Sequence, residues 1–204
     1  MSYDVVVVGC GPVGALAANL LGLKGLQVLV LERELEHYPL PRAVHLDHEM
    51  MRLFQSAGVI GRVEGDMIAT DGHLHIGADR GVIRYMGTVG QPRPFGWAND
   101  YFFYQPELEA HLRQGFAAMP NVALKLGASF TGLSQDAGGV TVEYRDGDEP
   151  GTAHTRWVIA CDGARSSVRK VLGAELDNLQ FEEPWLVVDA EVEGPVSFPP
   201  FSGV

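Results

Sequence analysis

The chain has 204 residues, 46% hydrophobic and 20% charged, enough for one large soluble domain or a domain with part of another. A net charge of −11 leaves no basic stripe to neutralise phosphates, which argues against a nucleic-acid partner. No apolar run reaches the roughly 18 residues of a membrane span, the N-terminus enters a strand too soon for a signal peptide, and two cysteines make no disulfide framework; the expectation is a cytoplasmic protein with no membrane partner.

Residues 5–8 are four valines, an apolar run suited to a strand buried on both faces of a parallel sheet. Gly9-Cys10-Gly11-Pro12-Val13-Gly14 follows, a GxGxxG, and then an apolar stretch of helical length over 13–23. A second apolar run, 28–31, ends in Glu32, 18 residues after Gly14. This reads as a βαβ unit with a phosphate-binding turn and an acidic terminator. Gly9 permits the tight turn, Gly11 lets a pyrophosphate approach the backbone, and Gly14 lets the helix pack against the sheet. The helix start, at Pro12 and Val13, offers unpaired N–H groups to phosphates. Glu32 can accept hydrogen bonds from an adenosine ribose, and Arg33 beside it joins the expected cofactor-binding residues. The unit suits FAD or NAD and does not choose between them. Cys10 and Cys161 each follow an apolar run beside a glycine and read as small residues fitted near the cofactor.

After a charged connection, Pro41-Arg42-Ala43 precedes Leu46, Met50, Leu53 and Phe54, whose spacing predicts a helix over 46–57 stopped by Gly58. Arg42 is either a solvated loop residue or a pyrophosphate contact. Residues 72–76 and 82–86 read as a hairpin. The pairs His45/His48 and His73/His75 lack supporting ligands, so no metal is expected. An extended segment over 101–104 leads to Gln105-Pro106, which opens a helix with Leu108, Leu112 and Phe116 as its buried stripe. Gln105 is a candidate polar contact. Strands are expected over 122–126, 128–134, 140–145 and 155–160, with a turn over 146–151. Asp162-Gly163-Ala164-Arg165-Ser166 then forms a strand-turn-helix in which Ser166 can cap a helix that includes 168–172, with Arg169 close by. A final strand is expected over 185–192, followed by a proline-rich tail.

Gly9-x-Gly11-x-x-Gly14 with Glu32, Pro41-Arg42-Ala43, Gln105-Pro106 and Asp162-Gly163-x-x-Ser166-x-x-Arg169 together resemble the single-component FAD-dependent aromatic hydroxylases, above all the 3-(3-hydroxyphenyl)propionate hydroxylase group. The resemblance spans nearly the whole chain, and the Asp-Gly element is its most specific part. It implies an α/β fold, a Rossmann-like FAD-binding domain (parallel sheet with βαβ unit plus antiparallel β-meander) over 1–70 and 101–173. Segments 71–100 and 174–204 would belong to a β-sheet substrate domain. Gly9, Gly11, Gly14 and Glu32 would hold the ADP half of FAD, Arg42 the pyrophosphate region, Gln105 the ribityl end and Asp162 a ribose. The implied activity is hydroxylation of a phenolic aromatic acid with NAD(P)H as cosubstrate and O₂; a homodimer stays open. No later Gly-Asp motif is present, so the resemblance leads one to expect an incomplete enzyme, and the sequence names no catalytic residue. A related flavin oxidase or reductase, or a non-catalytic FAD-binding remnant, remains as an alternative. An NAD-dependent dehydrogenase would have no need of Asp162-Gly163.

Overall fold

The structure is a computed structural model; it describes residues 2–36, 39–70, 72–88, 90–184, 186, 193–195 and the backbone of 202–203. In chain order, β1 (Ser2–Val8), α1 (Pro12–Leu23) and β2 (Val28–Glu32) form the βαβ unit. They are followed by β3 (His45–Asp47), α2 (His48–Ser56), the single turn α3 (Ile60–Val63) and β4 (Ile68–Ala69). The hairpin of β5 (Gly72–Ile76) and β6 (Val82–Gly87) comes next, then β7 (Asp100–Phe102), α4 (Gln105–Ala117) and β8 (Val122–Leu126). A meander of β9 (Ala128–Asp136), β10 (Gly139–Asp146) and β11 (Glu149–Ala160) ends in α5 (Ser167–Val171), and β12 (Ser202–Gly203) pairs with β5.

The main sheet runs β8-β2-β1-β11-β10-β9. Its first four strands are parallel and its last three antiparallel, as expected of a parallel sheet joined to a meander. The valine run is buried on both faces for a visible reason. Val5, Val7, Val28 and Val30 pack against α1, α2 and α4, while Val6, Val8, Leu29 and Leu31 pack against Val142, Tyr144 and Ala153 of the meander and Val168 of α5. The meander curls back over the sheet. A register shift between Glu143 and Tyr144 leaves one extra residue on β9, and a bulge of that kind bends and twists the ladder.

Helix α4 presents Leu108, Leu112 and Phe116 to the core, the stripe the spacing predicts. Each such side chain contributes about 1.5–3 kcal/mol when buried. Asn19 of α1, fully buried, donates from Nδ2 to the carbonyls of Ala15 and Leu112 at 2.8 Å each, tying α1 to α4.

Two local expectations are corrected. The helix expected over 46–57 starts only at His48: Leu46 lies in β3, paired with Tyr101 of β7, and Asp47 caps α2 by accepting from the Met50 N–H at 3.0 Å. Long-range strand pairing overrides the helical spacing there. The turn expected over 146–151 shrinks to two residues, because Asp146 pairs with Glu149 and β11 starts at once. Apart from residue 186, the final strand expected over 185–192 lies outside the described residues, as does most of the tail.

Replacing Asn19 with Ala removes the α1–α4 tie and leaves the Leu112 carbonyl without that donor. The expected cost is about 1–3 kcal/mol in urea unfolding; an unchanged midpoint and slope would show that the bridge contributes nothing.

Candidate functional site: three parallel strand ends at one edge

Strand β1 lies between β2 and β11, and all three run the same way. Val8 pairs with Leu31 on one side and Ala160 on the other. The Gly9 N–H donates to the Leu31 carbonyl at 2.8 Å, and the Cys161 N–H to the Val8 carbonyl at 2.7 Å. The glycine turn, Glu32 and Asp162 therefore share one C-terminal sheet edge, where open α/β sheets place their ligands.

The three glycines have different reasons to be there. Gly9 sits at φ +97°, and a methyl group on it would overlap the Cys161 carbonyl. A methyl on Gly14 would overlap the Gly9 carbonyl. At Gly11 a Cβ meets nothing within 4 Å. Protein atoms account for Gly9 and Gly14; the space at Gly11 lies open above the start of α1, where Pro12 fills the first turn and Val13 is exposed. Glu32 is buried, and its carboxylate accepts from the Cys10 N–H at 2.7 Å and the Glu34 N–H at 3.0 Å. It thus braces the glycine turn from the second strand. Arg33 pairs with Glu34 on the exposed side.

A second line of polar contacts runs along α4. The Gln105 side-chain oxygen accepts from the Arg42 and Ala43 N–H groups, both at 2.9 Å, and its Nε2 donates to Glu109 at 2.8 Å. Glu109 faces Arg113, whose Nη2 donates to the Cys10 carbonyl at 3.1 Å. The ladder Gln105–Glu109–Arg113 connects the Pro41-Arg42-Ala43 segment to the glycine turn. Sequence reading named Gln105 and Arg42 but missed Glu109 and Arg113. Their signal is an i,i+4 acid–base pair in register with Gln105, beside the apolar stripe.

Asp162 behaves as a helix-end acceptor. Its Oδ1 accepts from the Ser166 hydroxyl at 2.6 Å, and Oδ2 accepts from the Ser167 and Val168 N–H groups at 2.6 and 3.1 Å. Ser166 caps α5 through the Arg169 N–H at 3.0 Å, as expected, and the Arg169 guanidinium donates to the Ala164 carbonyl at 2.8 Å. Gly163, at φ +76°, turns the chain between them. Both oxygens of Asp162 serve this turn, so any ribose contact would use their remaining lone pairs.

The profile of the family described as "FAD binding domain" matches residues 2–200. The chain belongs to this family. It is 37% identical over 196 residues to a 3-(3-hydroxy-phenyl)propionate/3-hydroxycinnamic acid hydroxylase of Mycobacterium avium (strain 104), covering 91% of this chain and 33% of that protein. It is 36% identical over 194 residues to a probable NADH-specific resorcinol 4-hydroxylase of Rhodococcus jostii (strain RHA1), covering 94% of this chain and 36% of that protein. The crystal structure of p-nitrophenol 4-monooxygenase from Pseudomonas putida DLL-E4 superposes with a TM-score of 0.79 at 27% identity, over 84% of this chain and 44% of that one. The chain spans about a third of the length of the curated relatives it matches.

The residues of this FAD-binding domain fit the cofactor the family carries. The cradle at Gly11 is the space a side chain would fill, and the acid on the second strand stands beside it. Among the described residues, no helix is long and apolar enough to cross a membrane. Cys10, in the turn itself, is fully buried, and that burial pushes its thiol up to about 12, against the opposing pull of Arg113. Burial also raises the half-buried Cys161 thiol. A group raised to about 12 is a thiolate in roughly one molecule in ten thousand at pH 8, so Cys10 is inert in the folded chain. Iodoacetamide at pH 8 is expected to leave Cys10 unmodified in the native protein and to label both cysteines after denaturation, as read by mass spectrometry. Native labelling of Cys10 ahead of Cys161 would show that the turn is open to solvent.

Proposed function

We propose that this chain holds FAD for a hydroxylase that uses NAD(P)H and O₂ to add a hydroxyl group to a phenolic aromatic acid, of the 3-(3-hydroxyphenyl)propionate type. The observation that carries the reading is the shared strand edge. Two signatures 152 residues apart, at Cys10 after β1 and at Asp162 after β11, meet at one sheet edge, and the α4 ladder continues from that edge toward Arg42. The names of the relatives, which include hydroxylases of phenolic acids and of resorcinol, support the substrate class, and one of them supports a nicotinamide reductant.

In this reading the α1 N-terminus and the backbone at Gly11 receive the pyrophosphate. Glu32 accepts from the adenosine ribose, Arg42 faces the phosphates, and Gln105 holds the chain where the ribityl begins. Asp162, with Gly163, Ser166 and Arg169 behind it, stands at the other side of the turn. Bound FAD supplies the redox chemistry, passing reducing equivalents from the nicotinamide to O₂. The protein binds and orients the cofactor, and it keeps the reacting face dry.

The decisive experiment is the absorbance spectrum of the purified chain, followed by titration with FAD. Flavin bands and saturable binding are expected; a colourless protein that takes up no FAD would reject the reading. NAD(P)H oxidation with a panel of phenols then separates a hydroxylase from a FAD-binding remnant or a flavin oxidase. Gly11→Val is expected to abolish FAD binding while the circular dichroism spectrum stays native, because its side chain enters open space. A Gly11→Val protein with full flavin occupancy would contradict it.

Glu32→Ala is expected to weaken FAD by about 1–3 kcal/mol, roughly 5- to 150-fold in Kd. The loss combines a missing ribose acceptor with a turn no longer braced at Cys10. Equal affinities for wild type and variant would remove Glu32 from the site.

A further inference from the structure

The two histidine pairs of the sequence are dissolved by the fold, and one member of each is recruited to a third residue. His45 on β3 and His73 on β5 both face Asp100 on β7. Asp100 is buried, at 6% exposure. Its Oδ1 is bonded to His45 Nε2, and its Oδ2 lies 2.6 Å from His73 Nε2. The two imidazole rings stand edge to face, with centroids 4.7 Å apart. The three residues form part of the wall of a broad, open surface hollow of about 500 Å³, together with Arg84, Tyr85 and Asn99. His45 is the most exposed of the three, its side chain 40% accessible against 17% for His73.

This cluster continues the cofactor line. His45 comes three residues after Arg42, and Asp100 five residues before Gln105. Those are the two segments joined by the Gln105–Arg42 contact.

A buried carboxylate is costly unless hydrogen-bonded, and here each oxygen takes one imidazole Nε2. With N–H at Nε2, a neutral imidazole carries its lone pair on Nδ1. His45 therefore keeps Nδ1 as a proton acceptor. A proton arriving there makes an imidazolium whose other N–H already points at a carboxylate, the arrangement that orients and stabilises a histidine base. His73 holds the second oxygen, so that Asp100 cannot turn away from His45. The three ligand atoms lie within 4.8 Å of one another, as metal ligands can.

We propose that His45 is the general base of the aromatic site, with Asp100 as its counter-ion and His73 as the positioning residue behind Asp100. This rests on the hydroxylase reading and deepens it: the substrate enters the hollow as a phenol. The phenolic O–H bond breaks and an N–H bond forms at His45 Nδ1. The oxygen keeps the electron pair, which raises electron density in the ring to be hydroxylated, and the net charge of the pair is unchanged. No electron transfer occurs in this step. The hollow has the size of a small-molecule site. Arg84 on its wall offers a guanidinium to the carboxylate of an aromatic acid. Arg84 and Tyr85, both from β6, are the other charged or titratable groups on that wall, while β3, β5 and β7 contribute His45, His73 and Asp100.

The test uses the FAD-loaded chain and 3-(3-hydroxyphenyl)propionate isotope-labelled at the phenolic carbon, whose NMR shift reports ionisation. The bound phenol is expected to ionise at least about one pH unit lower on the wild type than on His45→Gln, a tenfold change in the ionised fraction at a given pH. Asp100→Asn is expected to lose most of that difference and His73→Gln part of it, with FAD occupancy unchanged in all three variants. Equal ionisation on wild type and His45→Gln overturns the proposal, and so does failure of the phenol to bind a chain that holds FAD. Failure to bind FAD at all rejects the flavoenzyme reading instead. The histidine cluster is then decided by a second measurement, the imidazole nitrogen shifts of His45 and His73 on the free chain. Asp100→Asn must move both; shifts that stay in place overturn the cluster as well.

Discussion

The parallel pairing of β1 with β2 and β11 is the constraint on which the rest depends. Val8 is hydrogen-bonded between two neighbours whose chains end at the same height. A glycine turn leaves the middle strand, an acid ends one flank, and an Asp-Gly turn ends the other. Parallel strands need long crossovers. That requirement is why the second signature can stand at residue 162, after a long crossover that ends in α4, β8 and the meander, and still reach the first.

Burial of the strands on both faces holds this edge rigid. Helices cover one face, and the bent meander covers the other with Val142, Tyr144 and Ala153. The rigid edge in turn fixes backbone N–H and C=O groups to within hydrogen-bond distance of Glu32 and Arg113. These two side chains brace the turn from opposite sides, one through the N–H of Cys10 and the other through its carbonyl. A cofactor site built this way presents a prepared backbone surface, with little left to order on binding.

From that edge the polar ladder of α4 leads outward to the Arg42 segment, and three residues later to His45. The order along this line matches the order of chemical tasks in the proposed enzyme: phosphate and ribose first, the far end of the cofactor next, the phenol last. The hairpin of β5 and β6 brings His73, Arg84 and Tyr85 to the same hollow as His45 and Asp100.

The βαβ unit, the α4 stripe and the Ser166 cap were legible in the residues, because each depends on neighbours within one turn or one strand. Valines in a row, Leu108-Leu112-Phe116 at helical spacing, and Ser before a helix carry their meaning locally. Leu46 was misread for the same reason: its spacing suited a helix, yet Tyr101, 55 residues away, pairs with it in a strand. Glu109 and Arg113 look like ordinary surface charges until α4 is laid against the glycine turn. His45, His73 and Asp100 carry no shared pattern at all, since they come from three separate strands. Local sequence determined the cofactor unit and the family, because the physics of a glycine turn is contained in a few adjacent residues. Only tertiary structure decided which acids are already engaged and which histidines meet, because those contacts exist only once distant strands have packed.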